Sequence, residues 1–253
     1  MATPAAGRPV AAVERALAVL EILADAPDLG VNEIARRLDV SASSASRLLG
    51  TLAGHGLVER VPETGRYRLG VRLLQLGTHV LQRLDVRDVA RPVLERIEAE
   101  TGETATLSLP AAGEGVTVDH VPSRRSVRSA ALVGRPSVAH ATAVGKVVLA
   151  FGTGREAEIR PELEAFTRRT ITDPARLAEV VAETRTRGWG EADGEREEDL
   201  AAIAVPVFNH AGGLVAIIGA QGPADRFDAD ARRAAVPVLE EAARELGRTL
   251  GAL

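Results

Sequence analysis

The sequence of 253 residues contains no cysteine and only one lysine, Lys146. The absence of cysteine excludes disulfides, thiolate-bound zinc and a cysteine nucleophile. Long apolar runs are also missing, since none approaches the roughly 18 residues that a membrane-spanning helix needs. Charges at Glu14, Arg15 and Glu21 interrupt the first apolar stretch, which argues against a secretory signal. We therefore predict a cytoplasmic protein with no membrane partner.

The sequence motifs of common enzyme classes are absent as well. There is no G-x-S-x-G elbow, no phosphate-binding loop and no H-E-x-x-H helix. The five histidines are scattered, so nothing supplies a paired metal ligand. Lys146 stands alone near a predicted helix start, where a lysine is usually structural rather than nucleophilic. We predict that the chain is not an enzyme and that it holds neither a cofactor nor a metal.

Charge is distributed unevenly along a chain that is long enough for two domains. Residues 1–84 hold ten arginines and eight acidic residues, whereas the remainder holds 21 basic and 27 acidic residues. Within residues 41–72 the bias sharpens to five arginines against two acidic residues. The net charge of −4 argues against indiscriminate coating of nucleic acid. The basic N-terminal segment nevertheless indicates a local phosphate-binding surface.

The N-terminal third has the order of a winged helix-turn-helix. Apolar periodicity predicts three helices, over residues 10–23, 33–38 and 43–55. Asn32 is placed to cap the second of them. Two short alternating runs, residues 57–61 and 66–69, flank a turn-rich segment and predict a hairpin, which would be the wing.

Candidate DNA contacts lie on the third helix and on the hairpin. A helix that enters the major groove needs short polar side chains near its N-terminus and an arginine that reaches the base edges. Each serine alone is better explained by helix capping, whereas each hairpin arginine is equally well explained by a solvated strand edge. Their order along the chain favours DNA contact. The predicted DNA-binding residues are Ser41, Ser43, Ser44, Ser46, Arg47, Arg60, Arg66 and Arg68.

The remaining sequence predicts an α+β domain. An amphipathic helix over about residues 70–85 carries more apolar surface than a connector needs, which makes it a candidate dimer contact. Alternating patterns predict strands over residues 104–109, 116–121, 127–133, 201–208 and 214–221. Helices are predicted over residues 88–100, from near Ala143, from Pro174 and over about 228–250. Strands that meander between flanking helices favour an antiparallel sheet.

A small-residue turn precedes the helix that begins near residue 143. The free backbone N–H groups of Ala143, Val144 and Gly145 can point at an anion there. A carboxylate suits this geometry. The segment is therefore a candidate ligand site.

Several segments resemble the IclR family of bacterial transcription regulators. These are residues 13–20, the helix from Ser43 to Leu52, Gly65–Gly70, Thr101–Thr104, His140–Lys146, Arg187–Trp189, Ala204–Val207 and Gly222–Pro223. They keep the family order over roughly residues 10–250. The resemblance implies a GAF-like effector domain that recognises a small metabolite. It also implies a dimer or a dimer of dimers bound to a pseudo-palindromic operator in double-stranded DNA.

The resemblance extends to the effector site. In acid-sensing relatives the effector site is lined by the loop before the helix and by an acidic residue, a cysteine and serines. Matching around Gly188 and Trp189 puts those four positions at Ala192, Ala202, Gly219 and Gln221. Three of the four are small and apolar, which favours an effector larger or more apolar than glyoxylate or pyruvate. Gln221 remains as a polar contact. Asp193, Glu195 and Glu197 stand near the same edge, either as a solvated acidic loop or as part of the site.

We divide the chain into a winged helix-turn-helix over residues 8–69, a linker helix over residues 70–86 and a GAF-like effector-binding and oligomerisation domain over residues 87–253. The predicted function is sequence-specific regulation of transcription, modulated by a small-molecule effector, by repression or activation. One alternative stays open. The chain would then be a ligand-independent architectural protein whose C-terminal domain only dimerises.

Overall fold

A computed structural model describes residues 10–83, 86–111, 113–153 and 158–250. The chain divides by its internal contacts into two units, residues 1–83 and residues 84–253. The predicted domain ends at residues 8 and 253 and the linker residues 84 and 85 lie outside the described residues. None of the helices within the described ranges is both long and apolar enough to cross a membrane.

The N-terminal unit is a three-helix domain with a two-stranded wing, as predicted. Its elements are α1 (Ala11–Ala24), α2 (Val31–Arg37), α3 (Ala42–Gly54), β1 (Val58–Arg60), β2 (Tyr67–Leu69) and α4 (Val71–Arg83). β1 and β2 pair antiparallel, with Glu59 opposite Arg68. Apolar side chains at helical spacing form one core, made of Val19, Leu23, Leu29, Ile34, Leu49, Leu52 and Val58.

The helices α2 and α3 begin with different kinds of cap. Ser41 caps α3, and Gly56, at φ +70°, allows the chain to turn after the helix ends. The prediction that Asn32 caps α2 is wrong, because the helix begins at Val31, two residues earlier than predicted, and Gly30 occupies the cap position. Glycine caps a helix without a side-chain hydrogen bond, so the sequence pattern gave no sign of it.

The C-terminal unit is the predicted α+β domain with an antiparallel sheet. Its elements are α5 (Val86–Thr101), β3 (Thr104–Ala111), β4 (Glu114–Val121), β5 (Pro136–Ser137), α6 (Ala143–Phe151), α7 (Pro174–Arg187), β6 (Gly190–Asp193), β7 (Leu200–Phe208), β8 (Leu214–Pro223) and α8 (Ala229–Leu250). The strand order is β5-β4-β3-β8-β7-β6, and every pair of neighbours runs antiparallel.

Helices cover both faces of this sheet. Ala143 and Val147 of α6 pack on one face, against a cluster that includes Ala204 and Ile217. α8 lies on the other face, where Gly247 approaches the backbone of Phe208 closely. α5 contacts both α8 and β3. Since side chains alternate across a strand, each face is built from every second residue of β3, β7 and β8.

Two strand predictions are corrected by the structure. Residues 127–133 were predicted as a strand, which is wrong: they form an irregular segment in which Val127 and Leu132 are exposed. A side-chain hydrogen bond holds this segment instead of strand pairing: the Ser129 hydroxyl donates to the carbonyl of Gln221. The edge strand β6 was not predicted, since its four residues carry no alternating apolar pattern.

Candidate DNA-binding and effector sites

The start of α3 is held together by its own serines. The Ser41 hydroxyl accepts a hydrogen bond from the backbone N–H of Ser44 at 3.2 Å and also contacts the hydroxyls of Ser43 and Ser44, at 3.0 and 2.9 Å. Ser41 therefore caps the helix. Ser43 and Ser46 are exposed on the first turns of α3, and Ser44 is partly buried. The structure thus shows a capping role for Ser41, which the sequence left open, and leaves Ser43 and Ser46 as candidates for DNA contact.

Arg47 stands on the exposed face of α3, one position before the half-buried Leu48 and two before the fully buried Leu49. Among the described residues its guanidinium has no ion pair and no side-chain hydrogen bond. An unpaired arginine on the exposed face of a second helix can reach both phosphates and the N7 and O6 atoms of guanine. This geometry fits the predicted role of Arg47.

The three wing arginines are all engaged within the N-terminal unit. Arg66 forms an ion pair with Asp28 and lies 3.6 Å from a carboxylate oxygen of Glu33. Arg68 pairs with Glu59 across the hairpin at 2.5 Å. The Nε of Arg60 donates to the carbonyl oxygen of Gly65 at 3.3 Å. All three lie at the surface, so phosphate contacts would add to, or replace, these internal partners.

The wing is also fixed through its backbone. Leu29 and Tyr67 exchange two backbone hydrogen bonds, of 2.9 and 2.8 Å, which join the loop after α1 to β2. The adjacent Arg66 to Asp28 ion pair reinforces the same junction. The hairpin is therefore set at one angle to the helices before DNA is present. Sequence reasoning did not identify this anchor, because its partners are 38 residues apart.

The C-terminal unit contains a cavity of about 80 Å³ between α6, the sheet and the segment before β5. Five of the predicted effector residues line it, namely Ala143, Val144, Ala192, Ala202 and Gln221. Ala192, Ala202 and Gln221 are register neighbours on β6, β7 and β8, so they form one row across the sheet. Sequence matching thus brought together residues that the fold makes adjacent.

Three other predicted effector residues lie outside the cavity lining. Gly145 donates its backbone N–H to the Thr142 hydroxyl at 2.9 Å, so this N–H is not free for a ligand. Asp193 points to Arg169 and Arg232, at 2.8 and 3.1 Å. Gly219 lies on β8 opposite the pocket residue Thr106. Its missing side chain leaves room beside the Thr106 hydroxyl, which a Cβ would approach to 3.0 Å.

The helix start beside the cavity keeps two free donors. Thr142 caps α6, and the N–H of Lys146 bonds the Thr142 carbonyl. Within the described part of the chain the backbone N–H groups of Ala143 and Val144 have no hydrogen-bond partner, as expected for the first residues of a helix. The positive end of the helix dipole adds to their attraction for an anion.

Several polar lining residues were not predicted as effector contacts. Arg135 pairs with Glu197 at 2.9 Å, and Arg196 donates to the carbonyl of Pro136 at 2.7 Å, so two cations border the cavity. Burial, with Arg135 nearby, lowers the pKa of Arg196. Hydroxyls from Thr106, Thr117 and Ser137 complete the polar lining. They belong to segments far apart in sequence, which is why pattern analysis did not collect them.

A buried ion pair lies next to the cavity, which is lined by one of its two partners, Glu195. The Lys146 ammonium, 2% exposed, donates to Glu195 at 2.5 Å and to the carbonyl of Glu191 at 2.8 Å. Burial lowers the pKa of Lys146 and raises the pKa of Glu195, and the attraction between them opposes both shifts. Glu195 is 9% exposed, so the alternative of a solvated acidic loop does not hold for this residue.

Comparison with known families also assigns different domains to the N-terminal and C-terminal parts of the chain. Residues 12–62 match the IclR helix-turn-helix domain, and residues 78–248 match the family described as bacterial transcriptional regulator IclR C-terminal. The chain belongs to the IclR family. It is an IclR-type transcription regulator with a DNA-binding helix-turn-helix and a C-terminal effector domain, which confirms the resemblance.

Known IclR-family proteins match this regulator over most of their length. The HTH-type transcriptional regulator XynR of Escherichia coli is 34% identical over 250 residues, which cover 96% of this chain and 98% of XynR. The crystal structure of a protein from Silicibacter sp. TM1040 that is assigned to the IclR transcriptional regulators has a TM-score of 0.83 at 27% identity. The match covers 95% of this chain and 96% of that one.

A second solved structure carries a ligand. It is an IclR homologue from Microbacterium hydrocarbonoxydans complexed with 4-hydroxybenzoate, with a TM-score of 0.73 and 26% identity, covering 96% of this chain and all of that one.

Proposed function

We propose that this IclR-family regulator binds a pseudo-palindromic operator through α3 and the wing, and that a compact organic anion in the C-terminal cavity changes that binding. The proposed boundaries are the winged helix-turn-helix over residues 8–69, the linker helix over residues 70–86 and the effector domain over residues 87–253. The observation that carries the DNA-binding part is Arg47, which is exposed on the second helix of a helix-turn-helix and whose guanidinium has no partner among the described residues.

Operator binding divides among residues with different roles. Arg47 contacts base edges, Ser43, Ser44 and Ser46 contact bases or phosphates near the helix start, and Ser41 orders that start. Arg60, Arg66 and Arg68 bring positive charge to the backbone beside the groove. Because Arg66 and Arg68 have acidic partners, we expect them to contribute less to affinity than Arg47.

We infer an organic anion of few atoms as the effector, which is smaller than the effector that the sequence comparison predicted. Arg135, Arg196 and the free N–H groups of Ala143 and Val144 favour a carboxylate in the cavity. Its volume of about 80 Å³ is below the range of about 300 to 1,000 Å³ that is usual for drug-sized ligands. An effector much larger than pyruvate would therefore require the segment before β5 to move. The 4-hydroxybenzoate complex of the Microbacterium homologue supports a carboxylate ligand.

Regulation requires that the protein self-associates, because each helix-turn-helix reads one half-site. Exposed apolar side chains on α4, including Val71 at 65% and Leu76 at 44%, support self-association through this helix. We propose a dimer or a dimer of dimers. Because its operator is chromosomal DNA, we place the protein in the bacterial cytoplasm.

We propose no catalytic role for the chain. The ammonium of Lys146 is committed to Glu195 and to the carbonyl of Glu191, so it is not available as a nucleophile. The relatives that support the family are transcription regulators.

The DNA-binding proposal is tested by substituting Arg47→Ala. We expect operator affinity to fall by about 1 to 3 kcal/mol, because one base contact is lost. The measurement is a gel shift of the full chain with its own promoter fragment and with random DNA at several salt concentrations. Arg176→Ala removes an exposed arginine of the C-terminal unit and serves as the control. Equal binding of wild type to promoter and random DNA would refute sequence-specific regulation.

A further inference from the structure

Glu195 presents an unused acceptor at the effector cavity. Its Oε1 accepts the hydrogen bond from Lys146, whereas Oε2 is buried and has no hydrogen-bond partner within the described part of the chain. A buried carboxylate oxygen without a donor is unfavourable, because it has lost its hydrogen bonds to water and has gained none in return. Because Glu195 lines the cavity, the missing donor can be supplied by a bound molecule.

Hydrogen bonds hold the Lys146 partner of this carboxylate and the backbone on which Glu195 stands. Lys146 is itself held by the carbonyl of Glu191, so it cannot follow Glu195 into another arrangement. The Thr170 hydroxyl donates to the backbone carbonyl of Glu195 at 2.5 Å, and the Thr167 hydroxyl donates to the carbonyl of Gly194 at 2.6 Å. Such preorganisation means that a ligand gains the hydrogen bond without first ordering its partner.

The surrounding charges define which donor fits. Lys146 neutralises the Glu195 carboxylate, so the pair adds no net negative charge to the cavity. Arg135 and Arg196 border the same space and disfavour a cationic ligand. An ammonium group is therefore a poor partner for Oε2, whereas a neutral hydroxyl is a good one.

We propose that Glu195 is the specificity-determining acceptor of the effector site and that it selects organic anions carrying a hydroxyl group. This inference rests on the proposed function, since it concerns the same cavity. The ligand's carboxylate faces the start of α6 and the two arginines, and its hydroxyl donates to Oε2. Lys146 is a positioning residue, because it orients Glu195 without contacting the ligand.

The test compares matched acids with and without a hydroxyl. Titration calorimetry of the full chain is carried out with lactate against propionate, glycolate against acetate and 4-hydroxybenzoate against benzoate. We expect the hydroxy acid of the best-fitting pair to bind at least about tenfold more tightly, because its partner acid leaves Oε2 without a donor. Glu195→Gln places an amide at this position and should reduce the preference to less than about twofold.

Glu197→Gln is the matched control, since Glu197 lines the same cavity but pairs with Arg135 at the surface and should keep the preference. Equal binding of both acids to wild type overturns the role of Glu195 and leaves the effector site standing. A preference that survives Glu195→Gln also overturns it. If none of the six acids binds while operator binding is intact, the proposed organic-anion site falls together with this inference. The wild-type comparison needs no variant, so it decides even if Glu195→Gln fails to fold.

Discussion

At the scale of single residues, the arginines of the N-terminal unit show how partners determine roles. The sequence offers Arg47, Arg60, Arg66 and Arg68 as equivalent candidates. The fold assigns Arg66 to a junction with Asp28 and leaves Arg47 unpaired among the described residues. Residue type and local order can nominate such side chains, but only the tertiary contacts show which of them is held by a neighbour.

The only lysine of the chain leads to a prediction about stability. Lys146→Met removes the cation that faces Glu195, so we expect the C-terminal unit to lose about 3 to 5 kcal/mol, as when one partner of a buried pair is deleted. The measurement is urea unfolding followed by fluorescence of Trp189, the single tryptophan, which lies in that unit. Arg176→Met breaks an exposed pair with Glu179 and should change stability little.

The loss in Lys146→Met should depend on pH. Burial already raises the pKa of Glu195 above its usual value of 4.5, and without Lys146 the opposing attraction disappears, so that pKa rises further. The folded state then binds more protons than the unfolded state above pH 4.5, and its stability falls as pH rises through the folded pKa. We expect a larger loss relative to wild type at pH 8 than at pH 5. A loss that is independent of pH would contradict this account.

At the scale of elements, glycine allows α6 to approach the segment before it. A Cβ on Gly145 would lie 2.4 Å from the carbonyl oxygen of Val138 and 2.5 Å from Cα of Ala139, so the backbone would have to move. The start of α6 borders the effector cavity. The position of the helix start therefore depends on the absence of this side chain.

Gly145→Ala should displace the start of α6 and destabilise the C-terminal unit by about 1 to 3 kcal/mol. We expect weaker binding of organic acids with operator affinity unchanged. Calorimetry, gel shift and Trp189 fluorescence measure the three quantities. Gly77→Ala, where a Cβ would meet nothing within 4 Å, is the control. Acid binding of wild-type strength in Gly145→Ala would show that the ligand does not lie beside this helix.

The elements that sequence analysis identified correctly are those with a strong repeating pattern. The three N-terminal helices, β7, β8 and the helix from Pro174 all carry apolar residues at a clear period or a clear capping residue. Residues 127–133 alternate as a strand would, yet β4 pairs with the two-residue β5 instead. Of the effector site, the row Ala192, Ala202 and Gln221 was found by family resemblance. Glu195 and Arg196 lie in a loop, and no sequence pattern predicts that this loop lines the cavity.

At the scale of the whole molecule, self-association is the property that links the two units to an operator. Leu76→Glu puts a charge on the exposed apolar part of α4, and we expect it to lower the molar mass in solution from at least twice 26.6 kDa towards that of one chain. Operator affinity should fall with it, because two half-sites would no longer be bound together. Light scattering after size exclusion measures the mass.

Gln75→Glu adds the same charge at the neighbouring position, which carries no apolar side chain, and is the control. An unchanged mass for Leu76→Glu would exclude this part of α4 from the subunit contact. The dimer would then have to be held by another surface.

The strand β3 has a mechanical consequence for signalling. Thr106 faces the effector cavity, and its neighbours Ala105 and Leu107, both fully buried, point to the opposite side, where α5 packs on β3. Two residues separate Arg83, the last residue of α4, from Val86, the first residue of α5. The cavity and α5 lie on opposite sides of one strand, β3. A shift of β3 on ligand binding would therefore reach α5 directly through the side chains of Ala105 and Leu107.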